Sequence, residues 1–145
     1  MTGETLLRWV DSEADLQGAF ALRERVFCGE QGVPVEIEVE PADREALHLV
    51  AVGPDGKIIG TLRLVFSGAA VKIGRVAVER DWRGRGIAGR MLELALARAA
   101  EHGATEARLA SQVEVVELYR RAGFEVQSDV FEEVGIPHVW MGRSL

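Results

Sequence analysis

The residues best suited to chemistry in this 145-residue chain lie in Arg83-Gly84-Arg85-Gly86-Ile87-Ala88-Gly89. The pattern around them predicts a strand before the glycines and a helix after. The first N–H groups of a helix have no partner within it and face outward together, forming a cradle for an anion. Glycines let a phosphate approach the backbone with no Cβ in the way, and Arg83 and Arg85 add fixed positive charge. A plain glycine-rich turn would explain the glycines but not the flanking arginines. The segment from Gly84 to Gly89 therefore predicts a cradle for an anion such as a pyrophosphate.

The same residues also read as G-x-G-x-x-G, the dinucleotide fingerprint. Two observations disfavour a nicotinamide or flavin protein. The acid expected about twenty residues on would fall near Ser111-Gln112, and neither is acidic. Too little chain follows to complete the roughly six strands of a dinucleotide domain. A nucleoside triphosphatase loop is excluded because no G-K-[ST] follows the glycines.

Charge is segregated along the chain. Lys72 to Arg90 holds six bases against two acids, and Cys28 to Ala46 holds six acids against Arg44 alone. One segment suits an anionic ligand and the other a cationic one, although two solvated patches would look the same. Arg23 and Arg75 are charges on otherwise apolar faces, which buried ion pairs with the acidic stretch would explain. Cys28, at a predicted helix end, reads as a buried inert thiol. Trp9, Trp82 and Trp140 read as core or rim packing.

The elements that must position these groups fit a single domain over residues 1–145. The composition is 48% apolar and 28% charged, which is globular. The apolar runs are strand-length, so no membrane span is expected. The first residues lack a signal-peptide core, and one cysteine permits no internal disulfide or cysteine-rich metal site, so a reduced, cytoplasmic protein without a metal is expected. A net charge of −6 argues against a nucleic-acid partner.

Thr5 to Val10 predicts a strand. Asp11 or Ser12 then caps a helix ending near Phe27, and the acidic stretch to Glu45 is loop or irregular helix. Leu47 to Val52, Lys57 to Phe66 and Ala70 to Val78 form a meander, with a turn at Gly53-Pro54-Asp55-Gly56. A helix containing Met91 to Ala99 reaches Gly103, and Ala107 to Ala110 is a buried strand. Ser111 and Glu114 predict a capping box for a helix through Tyr119 to Gly123. Phe124 to Phe131 and Pro137 to Met141 close the chain as strands. The class is α/β (α+β), with a mixed, mostly antiparallel sheet of roughly six to seven strands and about four helices on its two faces.

Six segments carry a resemblance. Arg83-Gly84-Arg85-Gly86-Ile87-Ala88 resembles the R/Q-x-x-G-x-G/A pattern of the GNAT acetyltransferases, and Leu118 to Phe124 resembles their later Y-x-x-x-G-F segment. More narrowly, Val26-Phe27, Glu30 to Pro34, Ile73 to Val76 and Glu133 to His138 resemble the ElaA/YjcF-like branch of that superfamily.

The resemblance implies an acetyl-CoA-dependent N-acetyltransferase. The strand before the glycines would splay from its neighbour and offer Val76, Ala77 and Val78 to the pantetheine arm. Arg83, Gly84, Arg85, Gly86, Ile87, Ala88 and Gly89 would hold the pyrophosphate. A primary amine of a small molecule or peptide would attack the thioester directly, with a backbone N–H near Val76 steadying the oxyanion. Tyr119, the sole tyrosine, would protonate the leaving thiolate; packing on an amphipathic helix is its plainer role. The base is open among His138, His48, Glu133 and the Glu36/Glu38 pair, with His138 placed first. Glu36, Glu38 and Glu133 are candidate acceptor contacts. Lys72 stands where some GNAT enzymes carry a strand-borne glutamate, which removes that base. A non-catalytic acyl-CoA sensor remains the alternative, and a homodimer is left open.

Overall fold

The computed structural model describes residues 5–145. β1 (Leu6–Trp9) leads into α1 (Glu13–Arg23). Ser12 caps that helix by accepting from the Asp15 N–H at 3.2 Å. Asp15 in turn takes two 2.9 Å bonds from Arg8 of β1. The helix does not stop near Phe27 as expected but runs on as a π-helix, Glu24–Glu30. Gly29 and Cys28 are accommodated within the wider turn. π-Helical turns collect at functional positions because they re-aim side chains, and here the extension brings Glu30 to Arg83 and Gln31 to Gln112.

The acidic stretch is ordered as α2 (Val35–Glu38) and a 3₁₀ turn, Pro41–Arg44. β2 (Leu47–Val52), β3 (Ile58–Ser67) and β4 (Ala70–Val78) then form the expected antiparallel meander. After α3 (Ile87–Glu101) comes β5 (Glu106–Gln112), which pairs parallel with β4. A 3₁₀ turn leads to α4 (Val116–Arg121). The Ser111–Glu114 capping box does not form, because Ser111 is still in the strand and its hydroxyl donates to the Gln112 carbonyl. α4 does end at Gly123 as expected. The Phe124 N–H reaches the Tyr119 carbonyl and the Gly123 N–H reaches that of Arg120, a Schellman closure with Gly123 left-handed.

The last stretch folds as β6 (Glu125–Val126), β7 (Phe131–Glu133) and β8 (Ile136–Ser144). Among the described residues the sheet has eight strands in the order β1-β2-β3-β4-β5-β8-β6, with β7 also on β8. The extra strand arises because Phe124 to Phe131 is interrupted rather than continuous.

Both faces of the sheet carry helices. α3 presents Ile87, Met91, Leu92, Ala95 and Ala99, which pack with Leu49, Leu62, Leu64, Val71, Leu109 and Met141 in the main core. Tyr119 and Phe124 join the same core from the α4 side. α1 covers the other face, with Ala19 on Val50 and Val52, and Leu22 and Val26 on Ala77. Gly60 sets how closely α3 can approach β3. A Cβ there would lie 3.2 Å from Met91 Cε and 3.3 Å from Ile87 Cγ2. The missing side chain thus seats the first turn of α3, and with it the glycine loop, directly on the central strands.

Candidate active site

β4 and β5 pair only through Ala70–Lys72 and Glu106–Arg108. Beyond those pairs they diverge, so the edge of β4 from Ile73 to Val78 has no strand partner on the β5 side. Its other edge stays bonded to β3, where Thr61 faces Ala77 and Gly60 faces Val78. The register shifts between Thr61 and Arg63, leaving β4 one residue longer there, a bulge at Arg75-Val76. A backbone edge without a strand partner is what an extended amide-bearing ligand needs in order to add itself to a sheet, although the Val78 carbonyl here already accepts from Arg83 Nε.

The glycine loop closes one end of this opening. Gly84 and Gly86 both take φ of 78°, and Gly86 is the N-cap of α3 with no side-chain cap bond. No protein atom lies within 4 Å of a Cβ built at Gly84, Gly86 or Gly89. The amides of Ile87, Ala88 and Gly89 are the first N–H groups of a 15-residue helix and have no partner within it. The cradle is therefore formed and accessible, and its residues fit a diphosphate.

The arginines are less free than their sequence suggests. Arg83 donates through Nε to the Val78 carbonyl at 2.9 Å and through Nη2 to Glu30 at 2.9 Å. Arg80 lies 3.4 Å from the same carboxylate. The Arg83 hydrogen bond, aided by Arg80, holds the Glu30 carboxyl below its ordinary range. Arg85 lies over the Trp82 ring at 4.5 Å and donates to the Asp81 carbonyl. The rigid guanidinium forks are thus arranged around the loop before any ligand arrives.

The acidic segment is largely neutralised from within. Arg23, fully buried, donates to Glu38 at 2.6 and 3.2 Å and to Asp43 at 2.8 and 3.1 Å. Arg63 of β3 bonds Asp43 at 2.8 Å and Glu40. Arg75 donates twice to the Glu38 carbonyl. Burial opposes ionisation of Asp43, but the Arg23 bond, the Glu40 N–H and Arg63 outweigh it and hold the carboxyl well below its ordinary range. Arg23 takes the role expected of it, whereas Arg75 is half-buried and bonds a backbone carbonyl, with the nearest carboxylates of Glu38 and Glu40 at 4.0 and 3.8 Å. Glu38, expected to face an acceptor, is instead buried with its carboxylate committed to Arg23. Its burial leaves no solvent-facing oxygen for an acceptor's cation. Glu36 is exposed.

Tyr119 and His138 lie on opposite faces. Val139 and Met141 belong to the main core with Tyr119, so alternation along β8 turns His138 to the other side. There His138 faces Gln112 of β5 and Phe131 of β7. Its Nδ1 is 2.7 Å from the Ile136 carbonyl, and its Nε2 is 3.7 Å from Glu133. Tyr119 is buried against Phe124, and that burial lifts its phenol well above its ordinary pKa. His48 sits under the acidic segment, 3.0 Å from the Asp43 carbonyl, and burial pushes its imidazole pKa down. Cys28 is half-buried and burial raises its thiol, consistent with an inert side chain.

Three relationships were not legible in residue types: the Glu30–Arg83 pair, the left-handed Arg75 (φ 52°), and a 2.9 Å bond from Gln112 Nε2 to Gln31 Oε1. Glu30 and Gln31 lie within a segment that carries the family resemblance, which is the signal that could have found them. Nothing in the sequence marks Arg75 as left-handed, since it follows a glycine that is not.

The splayed parallel pair, the bulged strand and the uncapped glycine-led helix define an acyltransferase of one family. The profile of the acetyltransferase (GNAT) domain matches residues 11–145, and the chain belongs to that family. The chain is 33% identical over 131 residues to the uncharacterised N-acetyltransferase YjcF of Bacillus subtilis, covering 90% of this chain and 93% of the relative. It superposes on an acyl-CoA N-acyltransferase from Pseudomonas aeruginosa with a TM-score of 0.84 and 31% identity, covering 95% of this chain and 99% of that one. Escherichia coli ElaA gives the same TM-score at 25% identity, again covering 95% and 99%.

Proposed function

We propose that this enzyme uses acetyl-CoA to acetylate a primary amine of a small molecule or peptide, by direct attack in a ternary complex. The observation that carries the reading is the gap between β4 and β5, bulged at Arg75-Val76 and closed at one end by the α3 cradle. Acetyl-CoA would supply an activated acetyl thioester. The amides from Arg83 to Gly89 would hold its diphosphate, with Arg83 and Arg85 adding charge. Val76, Ala77 and Val78 would pair with the pantetheine arm, and the Val76 N–H would donate to the acyl oxygen.

Tyr119 and His138 lie on opposite faces of the sheet, which in this reading separates an acid from a base. Tyr119 is the proton donor to the departing sulfur. Its phenol stays protonated at neutral pH, and the burial that raises it raises a neighbouring thiol as well, so the transfer remains near balance. His138 is the proton acceptor for the amine, directly or through water, with its ring held by Phe131 stacking and by the Ile136 carbonyl. Glu133 and Glu36 are the carboxylates left to attract a cationic acceptor, while Glu38 serves Arg23. All of these groups come from one chain, so the reading needs no second copy. A single cysteine suits a reducing compartment such as the cytoplasm.

Calorimetric titration with acetyl-CoA, with NADH as control, tests the donor. Micromolar binding of acetyl-CoA alone supports it, and a thiol-release screen of amines then finds the acceptor. Absence of binding, or preference for NADH, would overturn it.

A further inference from the structure

Between two of its pairs with β3, β4 carries a surplus residue: Thr61 faces Ala77 while Arg63 faces Gly74. Arg75 sits at this bulge with φ at 52°. A residue with a Cβ meets its own carbonyl in that region, so the conformation persists only where surrounding bonds impose it. The adjacent Gly74, which would adopt it freely, does not.

The imposing bonds come from the acidic segment. Arg75 Nε and Nη2 both donate to the Glu38 carbonyl oxygen, at 3.2 and 3.0 Å. The Glu38 and Glu40 carboxylates lie 4.0 and 3.8 Å from the same guanidinium. Glu38 is itself immobilised, because Arg23 of α1 takes both its carboxylate and, at 2.9 Å, the same carbonyl. One carbonyl of α2 is thereby gripped by an arginine from α1 and an arginine from β4. The grip ends one residue before the β4 backbone that lines the gap.

We propose that Arg75 is a positioning residue whose hold on the Glu38 carbonyl fixes the β4 bulge and so aligns Val76, Ala77 and Val78 with the pantetheine arm. The assignment rests on the acetyl-CoA reading above. The cradle at Gly84 to Gly89 is built on α3 and Gly60, with no bond to Arg75 in the described residues. Loss of the grip therefore weakens contacts to the pantetheine arm and leaves those to the diphosphate intact.

The test compares acetyl-CoA with adenosine 3′-phosphate 5′-diphosphate, which keeps the diphosphate and lacks pantetheine. Calorimetric affinities are measured for the wild type, Arg75→Ala, Arg75→Gly and Arg75→Lys. Arg75→Ala is expected to weaken acetyl-CoA about tenfold while the nucleotide changes less than about twofold. Arg75→Gly is expected to weaken acetyl-CoA as well, because glycine relieves the backbone but cannot hold Glu38, and it carries the comparison should Arg75→Ala not fold. Arg75→Lys, with one donor group for a fork, is expected to fall between. Amide exchange at Val76 to Val78 in the free protein is expected to quicken in the glycine variant. Wild-type affinity for acetyl-CoA in Arg75→Gly would overturn the proposal, as would parallel weakening of both ligands. A wild type that binds the nucleotide and not acetyl-CoA, or binds neither, overturns the donor reading itself and this proposal with it.

Discussion

The Gln112 side-chain amide donates to the Gln31 side-chain oxygen at 2.9 Å, linking residues 81 apart in the chain. Gln31 closes the π-helical turn, whose Phe27 and Val26 pack with Ala77 of β4, while Gln112 is the last residue of β5. The bond therefore ties the two sides of the opening together at the point where their backbones no longer can. We expect Gln31→Ala and Gln112→Ala each to cost about 0.5–1.5 kcal/mol, and the double variant to cost less than their sum. Urea unfolding of all four proteins measures this. Strict additivity would mean that the bond contributes nothing to holding the gap.

Arg23 is the group on which the acidic segment depends. Arg23→Met removes the counter-charge of buried Glu38 and one of the two arginine partners of Asp43. Leaving such carboxylates uncompensated costs about 3–5 kcal/mol, which for a domain of this size lowers the melting temperature by roughly 10 °C. Arg23→Lys is expected to recover little, since one ammonium cannot reach both carboxylates and the Glu38 carbonyl at once. A scanning calorimetry trace within about 2 °C of wild type would show that the segment is held by other means.

The meander, the glycine loop and the Gly123 helix stop were legible because each has a local cause. Strand-length apolar runs bounded by turn residues, unpartnered helix amides and a left-handed glycine are written in neighbouring residues. The fate of the acidic stretch was not. Charge counted along the chain predicted a cationic site, but Arg23, Arg63 and Arg75 arrive from α1, β3 and β4 to cancel Glu38, Glu40 and Asp43. Those partners are far away in sequence, so only the fold brings them to the acids. The Ser111–Glu114 capping box failed for a related reason: pairing of β5 with β8 extends through Gln112 and claims Ser111 for the strand. A local motif yields where a ladder of backbone bonds competes for the same residue.

Stability should decline in two stages as pH falls. Burial depresses the folded pKa of His48 below its unfolded value of about 6.5, so its contribution is full above that pH and is lost as pH drops through the folded pKa. Asp43, Glu40 and Glu30 are depressed as well, chiefly by their arginines. Their contribution is full above about pH 4 and fades below it. Urea midpoints are expected to be flat between about pH 7 and pH 8, to slope gently to about pH 4.5, and to fall steeply beneath it. His48→Gln should remove the gentle slope alone, and Asp43→Asn should blunt the steep fall from an already lowered plateau. A midpoint that rose on acidification would contradict both assignments.

Gly86 separates backbone strain from ligand contact. At φ of 78° an alanine costs about 1–2 kcal/mol, yet its Cβ meets no protein atom within 4 Å. Gly86→Ala should therefore fold with a modest loss of stability while its methyl group projects into the cradle. We expect acetyl-CoA affinity to fall by more than about tenfold, beyond what the stability loss explains. Unchanged affinity by calorimetry would place the diphosphate elsewhere.

Tyr119 distinguishes catalysis from packing more sharply than any other residue. Its ring sits in the main core against Phe124, so Tyr119→Phe keeps the packing and removes one oxygen. Stability is expected to change by less than about 1 kcal/mol, and acetyl-CoA affinity by less than about twofold, because the cradle and β4 edge are untouched. Turnover, followed by thiol release with an acceptor from the amine screen, is expected to drop about a hundredfold if the phenol protonates the leaving sulfur. The alkaline side of the wild-type profile carries a second signature. Burial lifts the phenol above its ordinary value of about 10, so no loss of rate from its ionisation is expected up to about pH 10. A phenylalanine variant that turns over at the wild-type rate would assign Tyr119 to the core alone. The departing thiolate would then have to take its proton from water entering through the gap between β4 and β5.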